Sequence, residues 1–190
     1  YGQGYDGELY DVNGKKVGEV SDATVPTIEE GGVSVVTGNH KSKANIFYTA
    51  FNNGDWVDPS NDKLWNSGSE SNPKKTEYDP CPEGWRVPTS AELDELNNNY
   101  SSWTTNESGQ PGYWFSGPNT YTEAVPQVFF PAAGYRHYDD GSAYGRGTYG
   151  RYWSSRPNSP YANRLYFSIS GVSMDNGNRA LGYSVRCVQE

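Results

Sequence analysis

Asp79-Pro-Cys-Pro-Glu-Gly-Trp-Arg-Val-Pro-Thr-Ser-Ala-Glu-Leu-Asp-Glu-Leu96 sets a cysteine between two prolines, follows it with a Gly-Trp turn and a third proline, and then opens the best helix start in the chain. Thr89 is placed to cap that helix through its hydroxyl, while Glu92, three residues on, reaches back to the amide of the cap, so two orphan N–H groups are satisfied reciprocally. Leu93, Leu96 and Tyr100 recur at i, i+3 and i+7 and give one narrow apolar stripe to face a core. The other cysteine, Cys187, lies near the C-terminus in Tyr-Ser-Val-Arg-Cys-Val. An even pair without Cys-x-x-Cys spacing reads as a structural disulfide of an oxidising compartment ahead of a metal or redox site, with two free thiols as the alternative. A Cys81–Cys187 bridge would clasp the last strand to the start of the helix.

The 190 residues are enough to bury a real core, and no internal repeat divides them, so a single domain over 1–190 is expected. Hydrophobic content is 34% and aromatic content 15%, with 16 Tyr and 6 Trp against a single Met, beside 22 Gly and 12 Pro. Such a chain makes short strands, many turns and aromatic packing, with few long helices. The net charge of -8 and a pI near 4.8 argue against nucleic-acid backbones and anionic membranes as partners, because both would repel the chain at long range. No stretch approaches the ~20 apolar residues of a bilayer span, so direct membrane insertion is not expected. Tyr1 has no signal-like segment before it, which leaves room for a removed targeting sequence or an upstream domain.

Leu9 to Val12 and Lys15 to Val20 flank Asn13-Gly14, the strongest two-residue hairpin signal, and predict an opening β-hairpin. Val33 to Val36 predicts a short strand, and the apolar run Ile46 to Phe51 is too brief to assign. Asn52 to Tyr78 reads as a long polar loop pinned to the body by Trp56, Leu64 and Trp65. Beyond the helix, short strands are expected at Tyr113 to Phe115, at Val128 to Phe130 ending on Pro131, and at Tyr152 to Ser155. Leu165, Phe167 and Ile169 alternate with Tyr166, Ser168 and Ser170 as in a half-buried strand, and Gly171 turns it into Val172 to Asp175. Tyr183, Val185 and Cys187 share one face of a last strand.

Three of these segments together resemble the Fibrobacter succinogenes major paralogous domain, found in surface proteins of Bacteroidetes-type bacteria. They are Asp79 to Leu96, Phe130-Pro-Ala-Ala-Gly-Tyr-Arg136, and Tyr152-Trp-Ser-Ser155 with Leu165-Tyr-Phe167 and Gly182-Tyr-Ser-Val-Arg-Cys-Val188. The likeness covers about 64–190, and 1–45 is an N-terminal β extension without a family motif. Trp65-Asn-Ser-Gly-Ser69 before the cysteine motif is similar to the version at the C-terminal ends of fimbrillin-like surface proteins. The resemblance implies an α+β, C-type-lectin-like fold with short twisted antiparallel strands, one or two helices and long loops. It further implies a secreted or outer-membrane, cell-surface adhesion module meeting a glycan or protein ligand and other fimbrial subunits.

The same fold relates this family to formylglycine-generating enzymes, which work through reactive cysteines. Here both cysteines hold the family's structural positions, so that chemistry has no thiol. A glycosidase needs two carboxylates facing across a sugar, and Asp139, Asp140, Glu123 and Asp175 are the nominal candidates. Acidic residues in Gly-rich turns are more often solvated turn formers, so no enzyme activity is expected. His40 and His137 are too isolated to supply a base or a zinc set. Asp175-Asn-Gly-Asn178 and Asp139-Asp-Gly141 offer oxygen donors for calcium, yet both carry turn dipeptides and neither has the Glu-Pro-Asn or Trp-Asn-Asp pattern of sugar-binding C-type lectins. No metal and no cofactor are expected.

The recognition signal lies in Gly134 to Trp153, which the resemblance places where C-type-lectin-like folds extrude their binding loops. Tyr135, His137, Tyr138, Tyr144, Arg146, Tyr149 and Arg151 are the candidate ligand contacts. Tyr brings a large amphipathic area at low entropy cost, and Gly and Ser let a loop adapt. The competing reading is that Gly spaces the loop and Tyr covers the sheet, since hot spots and buried aromatics share this composition.

Overall fold

The computed structural model describes residues 54–56, 60–106, 109–116, 126–138 and 142–190, together with the backbone of four short strands nearer the start of the chain. Those four are β1 (Glu8–Tyr10), β2 (Lys16–Glu19), β3 (Thr27–Ile28) and β4 (Phe47–Tyr48). β1 pairs antiparallel with β2 around the Asn13-Gly14 signal, and β3 pairs parallel with β4, so the Ile46 to Phe51 run contributes a strand. The strand expected at Val33 to Val36 lies outside the described residues.

The polar stretch before the cysteine motif folds back on itself. Ser67 N–H donates to Lys74 O at 2.9 Å and Thr76 N–H to Trp65 O at 3.2 Å, around an isolated bridge between Asn66 and Lys75. Trp56, Leu64 and Trp65 are half-buried, as anchors of such a loop should be.

The Asp79 to Leu96 stretch is built around one buried carboxylate. Asp79, 1% exposed, accepts from Cys81 N–H at 2.7 Å through Oδ1 and from Val87 N–H at 2.9 Å through Oδ2. The Lys75 ammonium lies 3.5 Å from Oδ1 and donates to the carbonyls of Cys81, Pro82 and Trp85, so the whole turn is closed by two side chains. β5 (Trp85–Arg86) leaves this turn and α1 (Ser90–Leu96) follows it.

The capping box forms as the sequence predicts. Glu92 N–H donates to Thr89 Oγ1 at 3.2 Å, and Thr89 N–H donates to Glu92 Oε2 at 2.8 Å. Arg86 grips both oxygens of the same carboxylate. Its hydrogen bonds are the leading cause, ahead of the opposing cost of burial, that holds the Glu92 carboxyl below its ordinary range. Glu92→Ala is expected to cost about 1 kcal/mol, as loss of a cap does, measured by urea unfolding. The pH dependence follows from the depressed folded pKa: this stabilisation is fully present above the unfolded value and is lost as pH falls through the folded one. The stability gap between the wild type and Glu92→Gln should therefore close in acid.

Two three-stranded antiparallel sheets carry the rest. β6 (Thr104–Thr105), β7 (Pro111–Ser116) and β8 (Gln127–Pro131) form one, with β7 central. β9 (Tyr135–Arg136) and β10 (Ala143–Tyr144) make a small hairpin. β11 (Tyr149–Asn158), β12 (Tyr161–Ser168) and β13 (Gly171–Asn178) form the second sheet, with β12 central. β14 (Val188–Gln189) returns to pair with β5. The result is an α+β domain, mostly sheet, with one short helix among the described residues, where no helix is long and apolar enough to cross a membrane.

The core lies between the two sheets and α1. Phe115, Leu165, Phe167 and Ala132 are fully buried there with Leu93, Tyr113, Phe130 and Tyr152, and Leu96 and Tyr100 pack against them. Ring contacts run through it, Phe115 to Phe130 at 4.9 Å, Phe130 to Tyr152 at 4.8 Å and Tyr113 to Phe167 at 5.6 Å between centroids. Each such side chain contributes about 1.5–3 kcal/mol by burial, so aromatics replace the aliphatic core that the composition lacks. The buried hydroxyls are satisfied across the sheets: Tyr113 donates to Ser168 O at 2.9 Å and Tyr152 to Pro131 O at 2.8 Å.

Cys81 and Cys187 are joined, with Cα atoms 5.9 Å apart across 106 residues of sequence. Other expectations need correction. The strand at Tyr152 to Ser155 runs from Tyr149 to Asn158, because Gly150 fits under the Phe167 ring where any Cβ would lie 1.8 Å from its Cζ. Ile169 is 72% exposed, since the strand stops at Ser168 and Ile169-Ser170 make the two-residue turn. No continuous last strand forms: Gly182 and Ser184 make single bridges to Arg136 and Tyr152 before β14 begins. Asn176-Gly177 sits inside β13 and not in a turn, with Gly177 against the Tyr183 hydroxyl.

Candidate functional site

Alternation on β11 and β12 sends Gly150, Tyr152, Leu165 and Phe167 into the core and turns Arg151, Trp153, Arg164 and Tyr166 to the opposite face. Asp175 on β13 is opposite Arg164 and joins them. Across this face lies the segment at Tyr183, bridged to Arg136 and held by Trp153 N–H to Ser184 O at 2.9 Å. The Gly134 to Trp153 segment is therefore not one loop. It is the β9–β10 hairpin, a glycine turn and the first half of β11, because Gly134 N–H donates to Tyr149 O and Gly147 N–H to Ala132 O. Gly145, at φ +66°, leaves the space taken by the Tyr149 ring, whose Cδ2 would be 2.1 Å from a Cβ.

The candidate contacts are brought together in two groups. Tyr135 stacks on Tyr144 with centroids 5.8 Å apart, His137 stacks on Tyr138 at 4.4 Å, and His137 meets Tyr144 edge-on at 5.6 Å. Tyr144 is 49% exposed and Arg146 is exposed, while Tyr135, His137 and Tyr138 are half-buried. In the second group Arg151 is half-buried with its guanidinium carbon 3.8 Å from the Tyr135 ring centre and 5.6–5.7 Å from those of Tyr149, Tyr166 and Tyr183. Each such cation–π contact contributes about 0.5–2 kcal/mol.

Arg164, Tyr166, Asp175 and Tyr183 complete this surface and were not in the candidate set. Arg164 and Tyr166 fall on the outward half of the same period of two that marked Leu165 and Phe167. Arg164, 8% exposed, donates to Tyr183 Oη at 2.6 Å and to Asp175 Oδ2 at 2.7 Å. Burial works to raise the Asp175 carboxyl, but hydrogen bonds from Arg164 and the Asn176 N–H and the charges of Arg164 and Arg151 outweigh it and hold it low. Burial raises the Tyr183 hydroxyl, opposed in part by both guanidiniums. Arg164 alone is in ion-pair contact with Asp175, and Arg151 acts on it only through its charge. Among the described residues Arg151 has no carboxylate partner, and its buried Nε makes no hydrogen bond. The face is positive in an acidic chain, and it exposes a tyrosine stack beside the charge.

Of the nominal catalytic or calcium-binding carboxylates, Asp175 is engaged with Arg164, and Glu123, Asp139 and Asp140 lie outside the described residues, as does His40. Among the described residues no group of three or more His, Cys, Asp or Glu side chains gathers in metal-binding reach.

The family model described as the Fibrobacter succinogenes major domain matches residues 5–189, essentially the whole chain. That span begins well before Leu64, where the recognisable motifs start, and takes in the opening β-hairpin. No curated protein and no solved structure matches.

Proposed function

Because the chain belongs to the Fibrobacter succinogenes major domain family, a domain of surface proteins, we propose that it is a non-catalytic recognition module of C-type-lectin-like arrangement, binding a glycan or protein ligand at the cell surface as part of a fimbrial or adhesin-type protein. The observation that carries the reading is the pairing of an exposed tyrosine stack, Tyr135 on Tyr144, with the Arg151 guanidinium, which has no carboxylate partner among the described residues. A tyrosine face stacks on the C–H surface of a sugar ring while its hydroxyl and a guanidinium hydrogen-bond ring hydroxyls or an acidic group. A positive patch on an acidic molecule steers an anionic or polar ligand to that place.

A structural role, joining or ending a surface polymer, is the second reading. It is favoured by the packing of Arg151 among four tyrosine rings, which suits a scaffold as well as a site. A glycan array probed with and without calcium supplies the ligand for the test. Tyr144→Ala and Arg146→Ala are then expected to lose about 1–2 kcal/mol of binding free energy each. Their stability should stay within about 0.5 kcal/mol of wild type, because both side chains are exposed. A large fall in melting temperature with unaltered affinity supports the structural reading instead.

A further inference from the structure

Building on the recognition function proposed above, on which the step rests, we infer that the tyrosine–arginine face receives an acidic sugar, whose oxyanion, a carboxylate or a sulfate ester, is held by Arg151 and the hydroxyls of Tyr135, Tyr149 and Tyr166. The two arginines of the face are placed very differently. Arg164 has spent both terminal nitrogens, Nη1 on Tyr183 Oη at 2.6 Å and Nη2 on Asp175 Oδ2 at 2.7 Å. Arg151 makes one long contact, from Nη1 to the same Tyr183 Oη at 3.5 Å, and among the described residues it has no other hydrogen bond and no ion pair. Its Nε is buried without a partner, whereas Nη2, equally unbonded, reaches solvent. Because Asp175 is matched to Arg164, the charge of Arg151 is left over. A guanidinium packed among rings has given up part of its hydration, and a scaffold would be filled as well by a neutral chain of similar length without that cost. An oxyanion at Nη2 supplies the missing charge.

The tyrosine hydroxyls point the same way. Those of the buried Tyr113, Tyr152 and Tyr183 are all hydrogen-bonded inside the domain. The hydroxyls of Tyr135, Tyr149 and Tyr166 make no hydrogen bond among the described residues and are open to solvent, although each ring is half-buried. The guanidinium carbon of Arg151 lies 3.8 Å from the centre of the Tyr135 ring, 5.6 Å from that of Tyr149 and 5.7 Å from that of Tyr166. Packing thus holds three O–H donors around one open N–H group of a cation. Hydrogen bonds to a charged acceptor are roughly twice as strong as those to a neutral one, so the set favours an oxyanion over a sugar hydroxyl, and the leftover charge repels an amine. Tyr144, stacked on Tyr135 and 49% exposed, adds the flat apolar surface that takes the C–H face of a sugar ring and that a bare acidic side chain would not use.

The experiment titrates the full chain with methyl glucuronide and glucose 6-sulfate, against methyl glucoside, glucosamine and N-acetylglutamate amide, following ligand saturation-transfer NMR at low and high salt. At least one acidic sugar is expected to bind with a Kd of about 1–10 mM, as befits so small a ligand, and about tenfold more tightly than the neutral and basic sugars. Its affinity should fall at high salt, as an exposed charge contact does. Binding of the glucuronide alone assigns a carboxylate, and binding of the sulfate alone assigns a sulfate ester. Arg151→Gln should bring the acidic sugar down to the affinity of methyl glucoside. Should that variant fail to fold, the Tyr149→Phe/Tyr166→Phe pair keeps both rings and should weaken the acidic sugar about fivefold or more with an unchanged melting temperature, a combination that structural hydroxyls would not produce. The inference is overturned if no acidic sugar binds more tightly than methyl glucoside, if N-acetylglutamate amide binds as tightly as the sugars, or if these variants keep wild-type affinity. Binding of a neutral sugar that Tyr144→Ala weakens would overturn the oxyanion and leave the recognition function standing. If no sugar of the panel and no glycan of the array binds, glycan recognition falls with it.

Discussion

Replacing Cys81 and Cys187 by alanine is expected to cost about 4–5 kcal/mol and to lower the melting temperature by about 10–20 °C. The bridge spans 106 residues, so in the chain-entropy account it removes a large share of unfolded-state freedom. Little else holds the segment it fixes. After Gly182 the chain is tied by the Ser184 hydrogen bonds to Arg151 and Trp153, by the Gly84 carbonyl accepting from Glu190, and by the two residue pairs of β14 with β5. That segment carries Tyr183, which packs on Trp153 at 4.2 Å between centroids and accepts from Arg164. Loss of the bridge should therefore loosen the tyrosine–arginine face as well as the fold. Thermal melts of the double variant, and of wild type with and without reductant, measure the effect. Thiol titration of the denatured, unreduced protein is expected to find no free sulfhydryl, and two per chain would mean that the bridge does not form.

Where local chemistry decides the structure, the chain announces it. Thr89 and Glu92 close a capping box that depends on a spacing of three, and Leu93, Leu96 and Tyr100 meet the core because a helix repeats every 3.6 residues. Asn13-Gly14 marks the pairing of β1 with β2 for the same reason. The errors fall where a distant side chain overrides a local preference. Gly150 and Gly177 look like loop and turn residues, yet each lies in a strand because Phe167 or the Tyr183 hydroxyl fills the place of its side chain. Nothing near those glycines in sequence discloses the ring that selects them.

The tyrosine–arginine face was half legible for a related reason. Tyr and Arg are conspicuous between Gly134 and Trp153, so that segment stood out by composition. Arg164, Tyr166 and Asp175 are scattered through β12 and β13, and only the register of those strands sets them beside Arg151. Trp56 and Trp65 read as anchors of a polar loop, which they are, but the ties from that loop to the sheet include Arg179, more than a hundred residues away, holding Asp55 and Asp62. Long-range ion pairs of this kind leave no periodic trace.

Asp79→Ala is expected to destabilise the domain by about 3–5 kcal/mol, which makes it the costliest exchange of a charged residue that the described structure offers. Its side chain is almost wholly buried and serves three partners at once, the N–H groups of Cys81 and Val87 and the Lys75 ammonium. Alanine leaves both N–H groups without acceptors and leaves the ammonium with carbonyls alone. A buried donor without a partner costs about 1–3 kcal/mol, and an uncompensated buried charge costs more. Asp79→Asn keeps one acceptor oxygen and turns an N–H₂ group toward a donor, so it should recover only part of the loss. Lys75→Met in the Asp79→Ala background removes the stranded charge and should return part of the stability, giving a double-mutant cycle that isolates the ion pair from the two N–H bonds. Because Asp79 sets the backbone at Cys81, its loss and the loss of the disulfide act on the same turn and should not add. Urea unfolding of Asp79→Ala, Asp79→Asn, Lys75→Met, the Lys75→Met/Asp79→Ala pair, and Asp79→Ala with and without the disulfide decides the matter: a cost below about 1 kcal/mol for Asp79→Ala would mean that the disulfide alone holds the turn, and full additivity would mean that the two constraints are independent.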